Sequence, residues 1–144
     1  MFLGEYHRTI DNKGRIFIPS KFREDLIQGV IICRGFYEKC LFLFSRDSWK
    51  AFESRIRALP MSKQDARDFS RLIFPSSVEG EMDQQGRIKI PQTLMDYADI
   101  KKDVVLIGVS DRAEIWAKEN WTSYYEQINS RFSKERGALE QLGF

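Results

Sequence analysis

Two arginines occur in the same setting twice. Arg15 follows Gly14 and lies four residues past Asp11; Arg87 follows Gly86 and lies four residues past Asp83. A guanidinium is planar and permanently charged, and its forked donors fit a carboxylate, a phosphate or a base edge bidentately. An aspartate just before it accepts backbone N–H groups across a tight turn. A glycine between the two supplies the positive φ that such turns need. Two chemistries are open. Arg15 with Asp11, and Arg87 with Asp83, can form local ion pairs that hold the turn, worth only about 0–1 kcal/mol if exposed. Alternatively, each guanidinium sits at a turn tip to meet an external phosphate or base edge. Lys13, Lys21 and Arg23 crowd the first copy and Lys89 supports the second. Residue chemistry alone leaves the two readings level.

The elements that must carry these arginines are themselves duplicated. Residues 11–19 read DNKGRIFIP and residues 83–91 read DQQGRIKIP, identical at six of nine positions and 72 apart in a chain of 144. A tract of this length recurring at half the chain marks an internal repeat. Each copy reads as turn, strand and stop. Ile16 and Ile18 share one strand face while Arg15 and Phe17 share the other, and Pro19 removes a ladder donor and ends the strand. In the second copy Ile88 and Ile90 face one way, Arg87 and Lys89 the other, and Pro91 closes. Trp49 and Trp121 keep the same offset, as do Leu43–Phe44 and Ile115–Trp116. Each half therefore reads as a turn, a strand, a short helix, an apolar hairpin and a longer helix.

In chain order, the pattern predicts a strand over 5–10, paired in a hairpin with 15–18 across the Asp11–Gly14 turn. A helix follows over 20–26, with Ser20 as its N-cap and Phe22, Leu26 and Ile27 apolar. Strands over 30–33 and 40–44 form a hairpin, the second apolar throughout and so buried on both faces. A helix over 46–59 carries Trp49, Phe52, Ile56 and Leu59 at helical spacing. The next, over 62–74, sets Ala66, Phe69, Leu72 and Ile73 against a solvated Lys63, Arg67, Arg71 face. The second half repeats this with strands over 77–82 and 87–90, a helix over 92–98 and strands over 104–107 and 113–116. A last long helix over 118–132 aligns Trp121, Tyr124, Ile128 and Phe132. The tail from Ser133 is a short docked helix or a mobile segment. Phe36, Tyr37 and Phe144, if exposed, point to a subunit interface.

Bulk properties narrow the field without deciding it. Hydrophobic residues at 42% and charged residues at 31% are ordinary for a globular chain. Seventy-two residues make a small core, so the halves are expected to share one. A net charge of +2 does not by itself mark a nucleic-acid binder, so any basic surface must come from local clustering. Residues 1–11 hold no signal-peptide pattern, and the longest apolar run, Cys40 to Phe44, is too short to span a bilayer. Cys33 and Cys40 read as free buried thiols, which suits the cytoplasm. His7 is the single histidine and completes no metal site or catalytic triad. No phosphate-cradling glycine motif occurs. No catalytic residue, metal, cofactor, membrane or small-molecule substrate is expected.

Two Asp-x-x-Gly-Arg turns, each followed by Ile-x-Ile-Pro and a helix, resemble the MraZ family, as does the opening MFLGEY. The resemblance covers nearly the whole chain and is weakest after about residue 132. It implies an α+β fold of the AbrB/SpoVT-like group. There, two copies of the unit build a duplicated, swapped-hairpin β-barrel with flanking helices, and here both copies would lie in one chain. The expected divisions are a first repeat over 5–47, a helical connection over 48–75, a second repeat over 76–119, and a C-terminal helix and tail over 120–144. The resemblance further implies a ring-shaped homo-oligomer and sequence-specific binding to double-stranded DNA. The repeated DNA sites would lie upstream of a division and cell-wall gene cluster, with the protein in the cytoplasm at the nucleoid. The DNA-contacting residues are expected to be Arg15, Arg87, Lys13 and Lys89. Asp11, Gly14, Asp83 and Gly86 are expected to shape the turns.

Overall fold

The computed structural model describes residues 1–144, the side chain of Arg136 excepted. In chain order the first half runs β1 (Glu5–Thr9), β2 (Arg15–Phe17), α1 (Ser20–Arg23), β3 (Val30–Arg34), β4 (Leu41–Ser45), α2 (Arg46–Arg57) and α3 (Gln64–Ile73). The second half runs β5 (Val78–Gly80), β6 (Arg87–Lys89), α4 (Gln92–Tyr97), β7 (Asp103–Gly108), β8 (Ala113–Ala117), α5 (Lys118–Lys134) and α6 (Arg136–Gln141). The fold is mixed α+β, built of two repeated halves.

Six strands form one antiparallel sheet in the order β1-β7-β8-β4-β3-β5, and β2 pairs with β6 in a separate two-stranded ribbon. The sheet order reads the same from either end once the halves are interchanged. Each half lends its first strand to the other: β1 lies along β7, with Glu5 opposite Ile107, and β5 lies along β3, with Val78 opposite Ile32. The β1–β2 hairpin expected from the sequence is therefore not formed. The turn does close, through the Asp11 N–H to Arg15 carbonyl bond of 3.0 Å, but the strands leaving it part to different sheets. Alternation of apolar and polar residues tells a strand which face to bury, not which neighbour to take.

That alternation divides the interior into two layers. Val30, Ile32, Leu41, Leu43, Val104, Leu106 and Ile115 meet the ribbon's Ile16 and Ile88, with Ile18 and Ile90 beside them. A ribbon of two three-residue strands is marginal alone. Burial of these four isoleucines, each worth about 1.5–3 kcal/mol, holds it on the core. On the other face of the sheet, Ile31, Cys33, Phe42, Phe44, Val105 and Trp116 pack under α2 and α5. Phe52 of α2 stacks on Phe44 at 5.0 Å between centroids, and Tyr124 of α5 stacks on Trp116 at 5.1 Å. The expectation that residues 40–44 are buried on both faces holds.

Several local expectations change. Helix α1 is one turn long; Pro19 occupies its N-cap and Ser20 lies inside it without capping. Ile27 falls in the turn after α1 and is exposed, and Leu59 and Leu72 are also left at the surface. Helix α2 is capped by Ser45, whose Oγ accepts the Ser48 N–H at 3.1 Å. Cys33 and Cys40 are free and buried. Burial pushes the Cys33 thiol up to about 12 and raises Cys40 as well, so neither is a ready nucleophile. The tail forms α6. Among the described residues no helix is long and apolar enough to cross a membrane.

Candidate nucleic-acid interface

Each motif turn is built around one aspartate. Asp11 Oδ1 accepts the backbone N–H groups of Lys13 and Arg15, both at 2.9 Å, and its Oδ2 accepts Arg15 Nε at 2.7 Å. Asp83 repeats the pattern with Gln85 (3.0 Å), Arg87 (2.9 Å) and Arg87 Nε (2.8 Å). Gly14 and Gly86 take φ of +78° and +80°, and their N–H groups return to the Asp11 and Asp83 carbonyls at 3.0 Å. The backbone N–H of Arg15 holds the Asp11 carboxyl down to about 2, helped by the Arg15 guanidinium and the Lys13 N–H. The backbone N–H of Arg87 leads the same downward shift at Asp83. The turns are also locked to each other: Ile18 N–H donates to the Gly86 carbonyl and Ile90 N–H to the Gly14 carbonyl, both at 2.8 Å.

The local ion pairs anticipated from the sequence are thus present, but each uses only the Nε edge of its guanidinium. Arg15 and Arg87 are partly buried, and their Nη atoms donate to no protein partner among the described residues. The aspartate orients the arginine and leaves its outer edge available. An ion pair and an outward-facing donor are therefore one arrangement, not two alternatives.

The ribbon sets these side chains on one surface. Its register puts Arg15 opposite Lys89, Ile16 opposite Ile88 and Phe17 opposite Arg87. Because Ile16 and Ile88 point into the core, Arg15, Phe17, Arg87 and Lys89 all point away from it. Arg87 lies 5.7 Å from the centroid of the Phe17 ring, within cation–π range. Phe17 is 47% exposed.

The exchange of strands reassigns two residues. Lys89, expected to support the second turn, lies opposite Arg15 of the first. Arg23, expected beside the first turn, packs over Gly86 of the second and donates from Nε to the Ile18 carbonyl at 3.0 Å. Lys13 stays at the exposed tip of the first turn, where it lines an open groove of about 470 Å³ with Lys89 and Lys101. Phe17, Lys101 and Arg8 were not singled out from the sequence. Arg8 reaches the ribbon by donating from Nε to the Phe17 carbonyl at 3.3 Å. The strand pattern gave Phe17 its outward face but no reason to notice it, and nothing local to Lys101 or Arg8 announces these contacts. Among the described residues, no group of three or more His, Cys, Asp or Glu could hold a metal ion.

A family model described as "MraZ protein, putative antitoxin-like" matches the chain twice, over residues 1–72 and 73–142. The chain belongs to the MraZ family. The two matches divide it at the same offset as the duplicated turns, so each MraZ repeat carries one Asp–Gly–Arg turn. MraZ is a regulator-type family. Among solved structures, the solution structure of PHS018 from Pyrococcus horikoshii is similar at 17% identity, covering 80% of this chain and 88% of that chain, with a TM-score of 0.33.

Proposed function

We propose that this MraZ-family chain is a sequence-specific DNA-binding transcriptional regulator that presents the outer face of the β2–β6 ribbon to a duplex. The observation that carries this reading is the ribbon register: it gathers Arg15, Arg87 and Lys89 on one outward surface, with each guanidinium pinned by its own aspartate. Pinning lowers the entropy lost on contact, and an outward Nη edge suits phosphate or guanine. Lys13 adds charge at the first tip. The strand exchange between halves fits the swapped-hairpin barrel of the AbrB-like group. In this reading the chain assembles into a homo-oligomeric ring, which repeats the ribbon and multiplies weak contacts through high effective concentration. A modest net charge then suffices, since the cations face one way. The DNA sites are repeats upstream of the division and cell-wall gene cluster, and the protein works at the nucleoid.

A second reading is a protein-interaction ring that binds no DNA. The apolar groups left in solvent favour it: Tyr37 is 87% and Phe144 89% exposed, and α5 buries none of its residues fully. The two readings part on Arg15→Ala, measured against the upstream region of the protein's own operon. The DNA reading expects about a five- to a hundredfold loss of affinity with oligomer size unchanged, consistent with about 1–3 kcal/mol for a lost bidentate contact. Unchanged affinity in a variant of unchanged oligomeric state counts decisively for the second reading.

A further inference from the structure

The symmetry that exchanges the halves sets Arg15 on Arg87, yet it sets Lys89 on Phe17, Lys13 on Gln85 and Arg23 on Met95. The arginine is common to both ends of the ribbon; its surroundings are not. At the first-turn end, Lys13, Lys89 and Lys101 share one groove. Of the carboxylates that line grooves with these lysines, Asp11 is engaged on Arg15, Asp96 on the Gln92 side-chain amide at 2.7 Å and Glu79 on Arg46 at 3.4 Å, while the exposed Glu81 shares a groove with Lys89. Among the described residues, no such group of lysines lies at the second-turn end. Arg87 is held between Asp83 and the Phe17 ring, and Arg23 and Arg8 are tied to backbone carbonyls. The tip of that turn carries two exposed amides, Gln84 and Gln85.

These surroundings suit different parts of a duplex. A lysine is a point charge on a flexible stem, able to follow a phosphate wherever the backbone runs, and phosphate contacts position without specifying. A fixed guanidinium matches guanine, a glutamine amide matches adenine, and an apolar ring meets the thymine methyl. We propose that the two ends of the ribbon divide the work: the first-turn end grips phosphate through Lys13 and Lys89, and the second-turn end reads base edges through Arg87, Gln84, Gln85 and Phe17. This rests on the DNA reading above and adds a direction to it, because a protomer with nearly two-fold architecture then meets the duplex with two unlike ends.

The test compares two duplexes, the upstream region of the protein's own operon and a shuffled sequence of the same composition, across a range of salt concentrations. The full-length protein is used, and every substituted position is solvent-exposed. Lys13→Gln/Lys89→Gln is expected to weaken binding to both duplexes alike. It should flatten the slope of log affinity against log salt by about 0.9 for each phosphate contact removed, and leave the ratio between duplexes unchanged. Gln84→Ala/Gln85→Ala is expected to keep the slope and lower the ratio about five- to a hundredfold. Phe17→Lys copies the first end onto the second; it should strengthen binding to the shuffled duplex, steepen the slope and lower the ratio. A lysine pair that controls the ratio, or a glutamine pair that weakens both duplexes equally, overturns the division while leaving DNA binding intact. Salt-independent or undetectable binding of the unsubstituted protein to both duplexes removes the DNA reading itself, and the division with it.

Discussion

Asp11 serves three donors with two oxygens, and that arrangement makes the first turn sensitive to acid in a defined window. Its carboxyl titrates at about 2 in the folded chain against 3.8 for an unperturbed aspartate, with the Arg15 backbone N–H as the leading cause. A depressed folded value means that the ionised form favours the folded state. The contribution is complete above about pH 4 and is lost as the pH falls toward 2. The carboxyl carbon of Asp11, followed by NMR, is therefore expected to titrate well below 3.8, and Asp11→Asn should remove this part of the acid response. The same substitution frees the Arg15 guanidinium to wander, so DNA affinity should drop even though no positive charge is lost. A midpoint near 3.8 would show that the turn does not hold the carboxylate. The aspartate–glycine–arginine spacing was legible in the sequence because every bond it makes lies within five residues. The direction of the guanidinium, and the fact that its ion pair and its outward edge coexist, required the turn to be seen in three dimensions.

The elements depend on contacts that cross the repeat, and Gly108 at the end of β7 shows how closely. Its N–H donates to the Gly4 carbonyl at 2.8 Å, and Phe2 and Ser110 exchange backbone bonds at 2.9 Å in both directions. A Cβ at Gly108 would overlap the Leu3 backbone N and the Phe2 carbonyl carbon, and backbone cannot swing aside as a side-chain tip can. Gly108→Ala is therefore expected to expel the N-terminal segment. Phe2, 2% exposed and edge-on to Phe22 at 5.1 Å, then loses its cover, at a cost of about 1.5–3 kcal/mol. Urea unfolding should register that loss. Gly137→Ala supplies the contrast: nothing stands within 4 Å of its added Cβ, and it lies in α6, so stability should hold or rise by up to about 1 kcal/mol. A Gly108 variant as stable as the Gly137 variant would mean that the N-terminal segment is not packed as described. Nothing in the sequence around Gly108 separates it from an ordinary strand glycine, since what forbids a side chain there comes from the opposite end of the chain. Helices α2 and α5, by contrast, were readable from their aromatic spacing alone, because a helix meets its packing layer through residues close in sequence.

At the scale of the whole molecule, the halves are matched in sequence yet interleaved in space. The sequence supplied the repeat, the alternation and the shared core, but the partner of each strand is set by burial summed over the entire sheet. The expectation that β1 would fold back on β2 failed for that reason, and with it the assignment of Lys89 and Arg23 to their own turns. Interleaving has a thermodynamic consequence. In a fragment of residues 1–75, β2 loses β6, β3 loses β5, and Ile16, Leu41 and Leu43 lose the cover of Ile88, Ile90 and Ile115. A unit of that size has little core to spare. Because the two motifs are so alike, such a fragment has one route to recovery, pairing its own β2 with that of a second copy so that Ile16 faces Ile16. It should therefore be unfolded when dilute and dimeric when concentrated, with an unfolding midpoint that rises with concentration. Adding residues 76–144 should displace that pairing and restore a single heterodimer, read as recovered near-ultraviolet circular dichroism from the packed Trp116. Light scattering and circular dichroism on the fragments, alone and mixed, decide the matter. A 1–75 fragment that unfolds cooperatively as a monomer would mean that each half holds a sufficient core, and that the strand exchange contributes arrangement without stability.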